Sequence, residues 1–360
     1  MALAMCGREA WNGWRAEHPV RNAGQGSRAN FADFSNYDLT GLDVDFSGFV
    51  FGEDAVFSVC QFGRRARFER SVLDSGANFS GARFEGGLNF EGASFGDFVR
   101  FDDIEVGGPA QFEAAQFGHD CRFSNAIFSD SVSFQGAVFG VVAGFSGACF
   151  LGVLHFDGAI FGGSADFENT VFGDEVVMRA TTFGGRDKFS CGAGYVSPAS
   201  VDAALKRAGE PAGRKALQRG SFQRVDFSGA IFQGAVDFTG RRFLGETNFG
   251  RMQQRCTFQR TVADGLQNET IERRSTVFVH APSFHECKLH QNTSFEGASF
   301  PVAQGREAAA RAYRTLKLAF AQQQATREEQ RFFRLEMAEE ALMALPLRAW
   351  LTTWWQQRRR

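Results

Sequence analysis

The chain lacks the sequence features of a membrane-spanning, exported or disulfide-stabilised protein. No apolar run approaches the roughly 18 residues that cross a bilayer, and the first residues, MALAMCGR, lack the apolar centre of a signal peptide. The seven cysteines are odd in number and irregularly spaced. Such spacing favours reduced thiols over a disulfide framework. We therefore expect a soluble, cytoplasmic protein.

Catalytic motifs are absent as well. The sequence contains no G-x-S-x-G, no H-E-x-x-H and no phosphate-binding loop. Residues 209–215 have neither the spacing of such a loop nor a Ser or Thr after the lysine. Acidic pairs such as Asp102 and Asp103 are adjacent, so their side chains point differently and are poorly placed to act together as acid and base. We predict no enzymatic activity and no cofactor.

One group of potential metal ligands is present near the C-terminal third: His280, His285, Cys287 and His290. A zinc site needs three or four ligands that converge on the ion, and this spacing matches no familiar zinc finger. Cys287 also stands two residues before Leu289, at a position where a small apolar filler is expected. We predict structural roles for these side chains, with a metal site as the alternative.

What the chain has in abundance is phenylalanine, with 42 residues, and glycine, with 41. Between residues 57 and 189 a large apolar residue returns after five residues, then six, in strict alternation. One series, with steps of eleven, is Phe57, Phe68, Phe79, Phe90, Phe101, Phe112, Phe123, Phe134, Phe145, Phe156, Phe167, Met178 and Phe189. The second series is Phe62, Leu73, Phe84, Phe95, Val106, Phe117, Phe128, Phe139, Phe150, Phe161, Phe172 and Phe183.

This period fits neither a helix face nor a simple strand, and it indicates a solenoid whose units bury their apolar faces by stacking. A small residue, often Ala, stands two positions before each large one, and a polar residue lies between them. Two inward positions separated by an outward one describe one short side of a tube. We therefore predict that the large residues of both series form the core.

The units resemble those of the pentapeptide-repeat proteins, as in residues 38–41 (DLTG), 77–81 (ANFSG) and 165–169 (ADFEN). That resemblance implies an all-β solenoid, a right-handed four-sided parallel β-helix with one motif per side. Every second unit here has six residues, so each coil should contain about 22 residues and form a wider tube. Wider coils need larger filling, which is our interpretation of why Phe replaces Leu.

The pattern predicts five segments. Residues 1–30 should form an N-terminal helical cap, with Trp11 and Trp14 on one helix face, or else exposed as a binding anchor. Residues 31–189 should form the β-helix, 190–221 an inserted helical loop, and 222–302 a continued β-helix with an irregular loop at 250–277. Phe222 lies 33 residues after Phe189, a multiple of eleven, so the insertion should preserve the coil register.

Residues 303–360 have helical periodicity and should form a hairpin and an amphipathic tail over the C-terminal end of the tube. Pro346 should close the second helix. The predicted apolar positions of the first helix are Ala309, Tyr313, Leu316 and Phe320, and those of the second are Phe332, Phe333, Leu335, Met337, Leu342 and Leu345. This part also resembles the C-terminal part of some bacterial pentapeptide-repeat proteins, in which a membrane region often follows such a hairpin.

The net charge of −2 conceals an uneven distribution, because residues 31–189 contain 23 acidic and 10 basic residues, a net of −13. The leading hypothesis is a non-enzymatic scaffold that binds an unknown protein partner. One alternative, implied by the resemblance, is an acidic mimic of DNA that binds DNA gyrase or another type II topoisomerase. A further alternative is attachment to a membrane surface through the tail, with its tryptophans and terminal arginines. The scattered basic residues do not favour direct binding of nucleic acid.

Overall fold

The fold is that of a computed structural model, which describes residues 3–18, 31–184, 189–190, 306–357 and most of 221–300. Within 221–300 the description omits residues 223, 229, 233–235, 239–241, 244–246, 251–254, 263–264, 273, 279–281, 283, 285–286, 288 and 290–292. The predicted helical insertion at 190–221 falls almost wholly outside the described residues.

The main body is a parallel β-solenoid with four sides, as the repeat predicted. Strand partners lie 22 residues apart, for example Gln61 with Arg83 and Glu105 with Ile127. Strands of two or three residues alternate with corners, because a step of five or six residues leaves room for only a short extended segment. The predicted coil length of about 22 residues is therefore confirmed.

Each side of the solenoid is one sheet. The ten-stranded sheet consists of Val44–Asp45, Arg65–Arg67, Gly87–Asn89, Ala110–Gln111, Val132–Ser133, Leu154–His155, Glu175–Val177, Arg224–Asp226, Thr247–Asn248 and Thr293–Ser294. The nine-stranded sheet follows it in each coil, with Val50–Gly52, Val72–Leu73, Ser94–Phe95, Gln116–Phe117, Val138–Phe139, Ile160–Phe161, Thr182–Phe183, Ile231–Phe232 and Val277–Phe278.

The third side begins as single bridges through Asp33, Val56, Asn78, Arg100 and Arg122. It continues as the five-stranded sheet, with Cys121–Arg122, Val142–Gly144, Ser164–Asp166, Phe189–Ser190 and Val236–Asp237. The fourth side is the seven-stranded sheet, with Asp38–Leu39, Gln61–Phe62, Arg83–Phe84, Glu105–Val106, Ile127–Phe128, Cys149–Phe150 and Val171–Phe172. Ser221–Phe222 and Arg242–Phe243 pair with each other, and the Phe222 ring stacks on Phe172 with centroids 4.9 Å apart.

Phenylalanine rings fill the tube in columns. Along one side, Phe57 and Phe79 stack with ring centroids 4.8 Å apart and planes at 5°. Rings of neighbouring sides meet edge to face, as Phe57 and Phe68 do at 89°. Both arrangements suit the quadrupole of the aromatic ring. The twenty phenylalanines predicted as core in residues 57–172 are all buried, with at most 4% of the residue exposed.

Helices cover the N-terminal end of the solenoid. Residues Ala4–Cys6 form a 3-10 helix, and helix α1 comprises Arg8–Glu17. Trp11 is 4% exposed, contacts the rings of Phe34, Phe49 and Phe51, and donates a hydrogen bond from Nε1 to Val50 O at 2.7 Å. Trp11 is therefore a buried part of the cap and does not form the exposed anchor considered as an alternative.

Two antiparallel helices, α2 (Arg306–Gln322) and α3 (Thr326–Gln357), pack at the other end. Phe332 meets the ring of Phe295 edge to face with centroids 5.3 Å apart, and Arg331 donates to the carbonyl oxygens of Phe295 and Ala298 at 2.5 and 2.6 Å. Backbone oxygens at the last coil, which has no further coil to pair with, thereby gain donors. In the part of the chain described, no helix is both long and apolar enough to cross a membrane.

Three expectations about this C-terminal part are wrong. Helix α3 does not end at Pro346 but runs through it to Gln357. A proline removes one backbone donor, and the helical residues that precede and follow it carry the helix past that loss. Phe333 and Met337 are 48% and 39% exposed and lie outside the apolar contact.

The expected register across the insertion is also wrong. The spacing of eleven would stack Phe189 on Phe167, but Phe189 pairs with Ala165, two positions earlier. The step from Phe183 to Phe189 thus contains extra residues, and the count of 33 to Phe222 does not follow the coils. Phe222 instead continues the column of Phe172.

The predicted irregular loop at 250–277 is a β-hairpin. Its strands, Cys256–Val262 and Gly265–Ile271, are seven residues long and antiparallel. This segment leaves the repeat pattern because it adds no coil and instead folds back along the outside of the solenoid.

Candidate functional site

The outer surface of the ten-stranded sheet carries two regular rows of polar side chains. Alternation along each strand points the residues on either side of the inward ring to solvent. We call these outward residues, from Asp45 to Arg179, the polar face. The row before each ring is Asp45, Arg67, Asn89, Gln111, Ser133, His155 and Val177, and the row after it is Ser47, Glu69, Glu91, Glu113, Gln135, Asp157 and Arg179.

Side chains of the polar face bind one another between coils. The Glu69 carboxylate accepts hydrogen bonds from the Ser47 hydroxyl and, at 2.9 Å, from the Asn89 amide. Arg67 Nη1 lies 3.3 Å from Asp45 Oδ2. Since adjacent coils are about 4.8 Å apart, the repeat spaces these groups closely enough for direct contact.

Asp157 is the most buried acid of the polar face, with 1% of the residue exposed. Arg179 binds it with Nε at 3.0 Å from Oδ1 and Nη2 at 3.2 Å from Oδ2, a bidentate pair. The hydrogen bond from Asp157 raises the pKa of Arg179. His155 Nδ1 lies 3.6 Å from the second carboxylate oxygen. The ion pair therefore holds a fixed charge arrangement at a position that a mobile surface lysine would not provide.

Glu113 lies one turn of the repeat away. Burial raises the pKa of this carboxyl, the negative charge of Glu91 raises it further, and Ser133 and His155 act in the opposite direction. Its Oε2 atom is buried without a hydrogen-bond partner among the described residues. Glu91, Glu113, His155 and Asp157 together form an acidic strip on a rigid sheet, which suits recognition of a cationic surface.

A second feature borders this face, at the corner between the ten-stranded and nine-stranded sheets. The small residues Gly92, Ala114, Gly136, Gly158 and Ala180 succeed one another at intervals of 22 and all have positive φ. We call this set the corner row. The absence of side chains beyond Cβ leaves a groove parallel to the solenoid axis.

The hairpin occupies the groove of the corner row. Thr261 donates from Oγ1 to Ala114 O at 2.7 Å, and Arg260 donates from Nη2 to Gly158 O at 2.8 Å. Phe258 is 3% exposed and packs with Cys256 against Ala180, in a small core separate from the tube. A Cβ atom at Gly158 would overlap the Phe258 ring. The corner row is therefore complementary in shape to the hairpin.

Of the four potential metal ligands, only Cys287 belongs to the described residues. Its thiol donates to Phe238 O at 2.7 Å, which gives the sulfur a structural contact inside the coil. His280, His285 and His290 lie outside the description. Within the described ranges no cluster of His, Cys, Asp and Glu could hold a metal ion.

The sequence contains signals for both surface features. Glu69, Glu91 and Glu113 recur at 22 residues, as do the five members of the corner row. Sequence reasoning used the interval of eleven, which describes the core, and did not follow single outward positions at the interval of one coil. The hairpin itself gives little signal, because most residues of its second strand are exposed and polar.

Comparison with known families gives a match within the solenoid. A family model described as pentapeptide repeats (9 copies) matches residues 46–94, 68–116, 90–138 and 112–159. The matched ranges overlap by whole coils, as expected when one motif repeats. Comparison with curated proteins and with solved structures finds no significant match.

Proposed function

Because this chain belongs, through residues 46–159, to the pentapeptide-repeat family, we propose that it is a non-enzymatic scaffold that binds a partner protein through the polar face. The observation that carries the proposal is the acidic strip formed by Glu91, Glu113, His155 and Asp157 on a rigid sheet. Fixed charges need little reorganisation on binding, so they favour selective recognition. The partner should present basic side chains at intervals that match the coils.

Two properties of the solenoid support this role. Its core is continuous from the N-terminal cap to the C-terminal helices, so the surface charges keep their relative positions. Its family is one of repeat scaffolds, and such scaffolds bind through extended surfaces rather than enclosed pockets.

The test is crosslinking and mass spectrometry of the full-length protein in its native cells. Glu91→Lys with Gln135→Lys changes the charge of the polar face by three units. Ser146→Lys with Glu168→Lys makes the same change on the five-stranded sheet, the opposite side of each coil. We expect the partner crosslinks to fall several-fold only in the first variant. Equal recovery of the same crosslinks from both variants would show that the polar face does not bind the partner.

The DNA-mimic alternative stays a prediction. The three carboxylates Glu69, Glu91 and Glu113 lie on adjacent coils, which favours it, whereas Arg67 adds positive charge to the same face. An effective mimic should inhibit or protect DNA gyrase in a supercoiling assay at about micromolar protein. Membrane attachment through residues 347–360 also stays a prediction.

A further inference from the structure

A concavity of about 560 Å³ opens on the ten-stranded side, next to the N-terminal part of the polar face. Its lining is Arg64, Arg65, Ala66, Arg67, Glu69, Gly87, Leu88, Asn89, Pro109 and Gln111, from three successive coils. We call it the arginine concavity. It is the size of a small-molecule site, and it is distinct from the acidic strip around Asp157.

Three guanidinium groups come from one short segment. Arg65 and Arg67 lie on the strand Arg65–Arg67 with buried Ala66 between them, so alternation directs both side chains outward. Arg64 precedes this strand and also lines the concavity. Guanidinium groups bind anions with forked pairs of N–H donors.

The next two coils provide a floor with little side-chain volume. Arg65 pairs with Gly87, and Pro109 lies one coil further. The neighbouring glycine, Gly86, has a structural reason, because a Cβ there would overlap the Arg64 carbonyl group. Close stacking at this corner thus requires glycine and leaves open space beside the arginines.

The charges at this site are not internally balanced. Glu69 is the one acid in the lining, and its carboxylate already accepts from Ser47 and Asn89. Arg67 has one ion pair, with Asp45. Arg64 and Arg65 are exposed and make no side-chain hydrogen bond or ion pair with the described residues. On a segment whose net charge is −13, this concentration of unneutralised cations invites an anionic ligand.

We propose that the arginine concavity binds the phosphate group of a compact small molecule. Two unpaired guanidiniums and a third beside them match a dianion better than a single carboxylate. The lining contains no aromatic side chain on which a nucleobase would stack, so recognition is of the phosphorylated part. The rigid strand fixes the separation of Arg65 and Arg67 before the ligand arrives, which lowers the entropic cost of binding.

The experiment is isothermal titration calorimetry of the full-length protein with inorganic pyrophosphate as the probe. Arg64→Ala with Arg65→Ala should weaken binding about tenfold or more. The control, Arg83→Ala with Arg100→Ala, removes two exposed arginines from other sides and should bind as the parent does. Arg65→Lys keeps the charge but loses the fork, so its affinity should be intermediate. Circular dichroism melts establish that each variant is folded.

The outcomes separate specific binding from general attraction. No heat of binding to the parent at about 10 mM pyrophosphate would overturn the proposal, and so would equal losses in the test and control variants. Citrate serves as a carboxylate probe of comparable charge. If citrate binds as tightly as pyrophosphate, the assignment to phosphate is wrong. This test does not depend on the partner protein, so its failure would leave the scaffold proposal standing.

Discussion

Phe123 illustrates what a single side chain contributes to this fold. Its ring stacks between Phe101 and Phe145, with centroids 4.8 and 5.1 Å away, and meets Phe112 and Phe134 edge to face. No part of it is exposed. Each ring therefore joins the coil before it to the coil after it, in addition to filling its own coil.

Replacing Phe123 by Ala should lower the free energy of unfolding by about 3–5 kcal/mol, through lost burial and the cavity left in the column. Thermal and chemical denaturation followed by circular dichroism measure the change. The control is Ser124→Ala, a neighbour on the outer surface, which should have little effect. Similar stability of the two variants would contradict the inward position of the ring.

Glu113 gives a prediction about pH. Its pKa in the folded protein is raised from the ordinary value of 4.5, mainly by burial. Above that ordinary value the unfolded state loses the proton more readily than the folded state, so this group lowers stability as pH rises toward the folded pKa. Below about pH 4 both states are protonated and the effect disappears.

Glu113→Gln should therefore be more stable than the parent at about pH 7, and the difference should vanish near pH 4. Urea denaturation at the two pH values gives the comparison. The parent and variant share Glu91, His155 and Asp157, so their titration largely cancels in the difference. A gain in stability that is the same at both pH values would point to a packing effect instead of ionisation.

At the scale of elements, the hairpin and the corner row form a matched pair. Gly158→Ala should displace the hairpin, because the new methyl group would overlap Phe258. Alanine tolerates this backbone, since Ala114 and Ala180 have φ of 55° and 56° at equivalent corners. Faster hydrogen exchange in residues 256–271 would report the displacement.

Gly81→Ala is the control for that experiment. Gly81 has φ of 68°, but the nearest atom to an added Cβ is a Val59 methyl carbon at 3.6 Å, an ordinary contact. Hairpin exchange should therefore match the parent. If both glycine variants accelerate it equally, backbone strain and not contact with Phe258 explains the change.

The elements also show which parts of this fold a sequence can predict. The core phenylalanines were predictable because each contacts residues at a fixed interval along the chain, so a local period encodes a spatial column. The hairpin was not, because Thr261 meets Ala114, 147 residues away, and no period connects them. At Pro346 a local rule gave the wrong helix end, since the surrounding helix outweighs one missing donor.

The polar face and the arginine concavity were visible only in part. The sequence shows that residues 31–189 are acidic, but the grouping of Arg64, Arg65 and Arg67 over Gly87 depends on strand alternation and coil register together. Burial of Asp157 and Glu113 depends on neighbours from other coils. Such properties follow from three-dimensional contact, which composition does not contain.

At the scale of the whole molecule, coils interact mainly with their immediate neighbours, as in other solenoids. The hairpin is an exception, since it contacts coils from Gly92 to Ala180. Its ends meet where Thr276 donates to Gly250 O at 2.6 Å. Residues between these two positions could thus be shortened without stretching the chain.

Replacing residues 252–274 by a short Gly-Ser linker should preserve the circular dichroism spectrum of the solenoid and lower its melting temperature by several degrees, because the bonds along the corner row are lost. Binding of the probe bis-ANS should increase as apolar surface is uncovered. A variant that fails to fold, or that melts like the parent, would contradict the view that the hairpin is a separable stabilising element.

The distance along the chain between the hairpin and the corner row has a consequence for synthesis. Coils up to Gly250 can stack on the ribosome in the order in which they emerge, each one templated by the last. The hairpin strands appear only afterwards, and Thr261 must then return to Ala114. For part of its life as a nascent chain the protein therefore carries a bare furrow, and its closure marks the completion of the molecule.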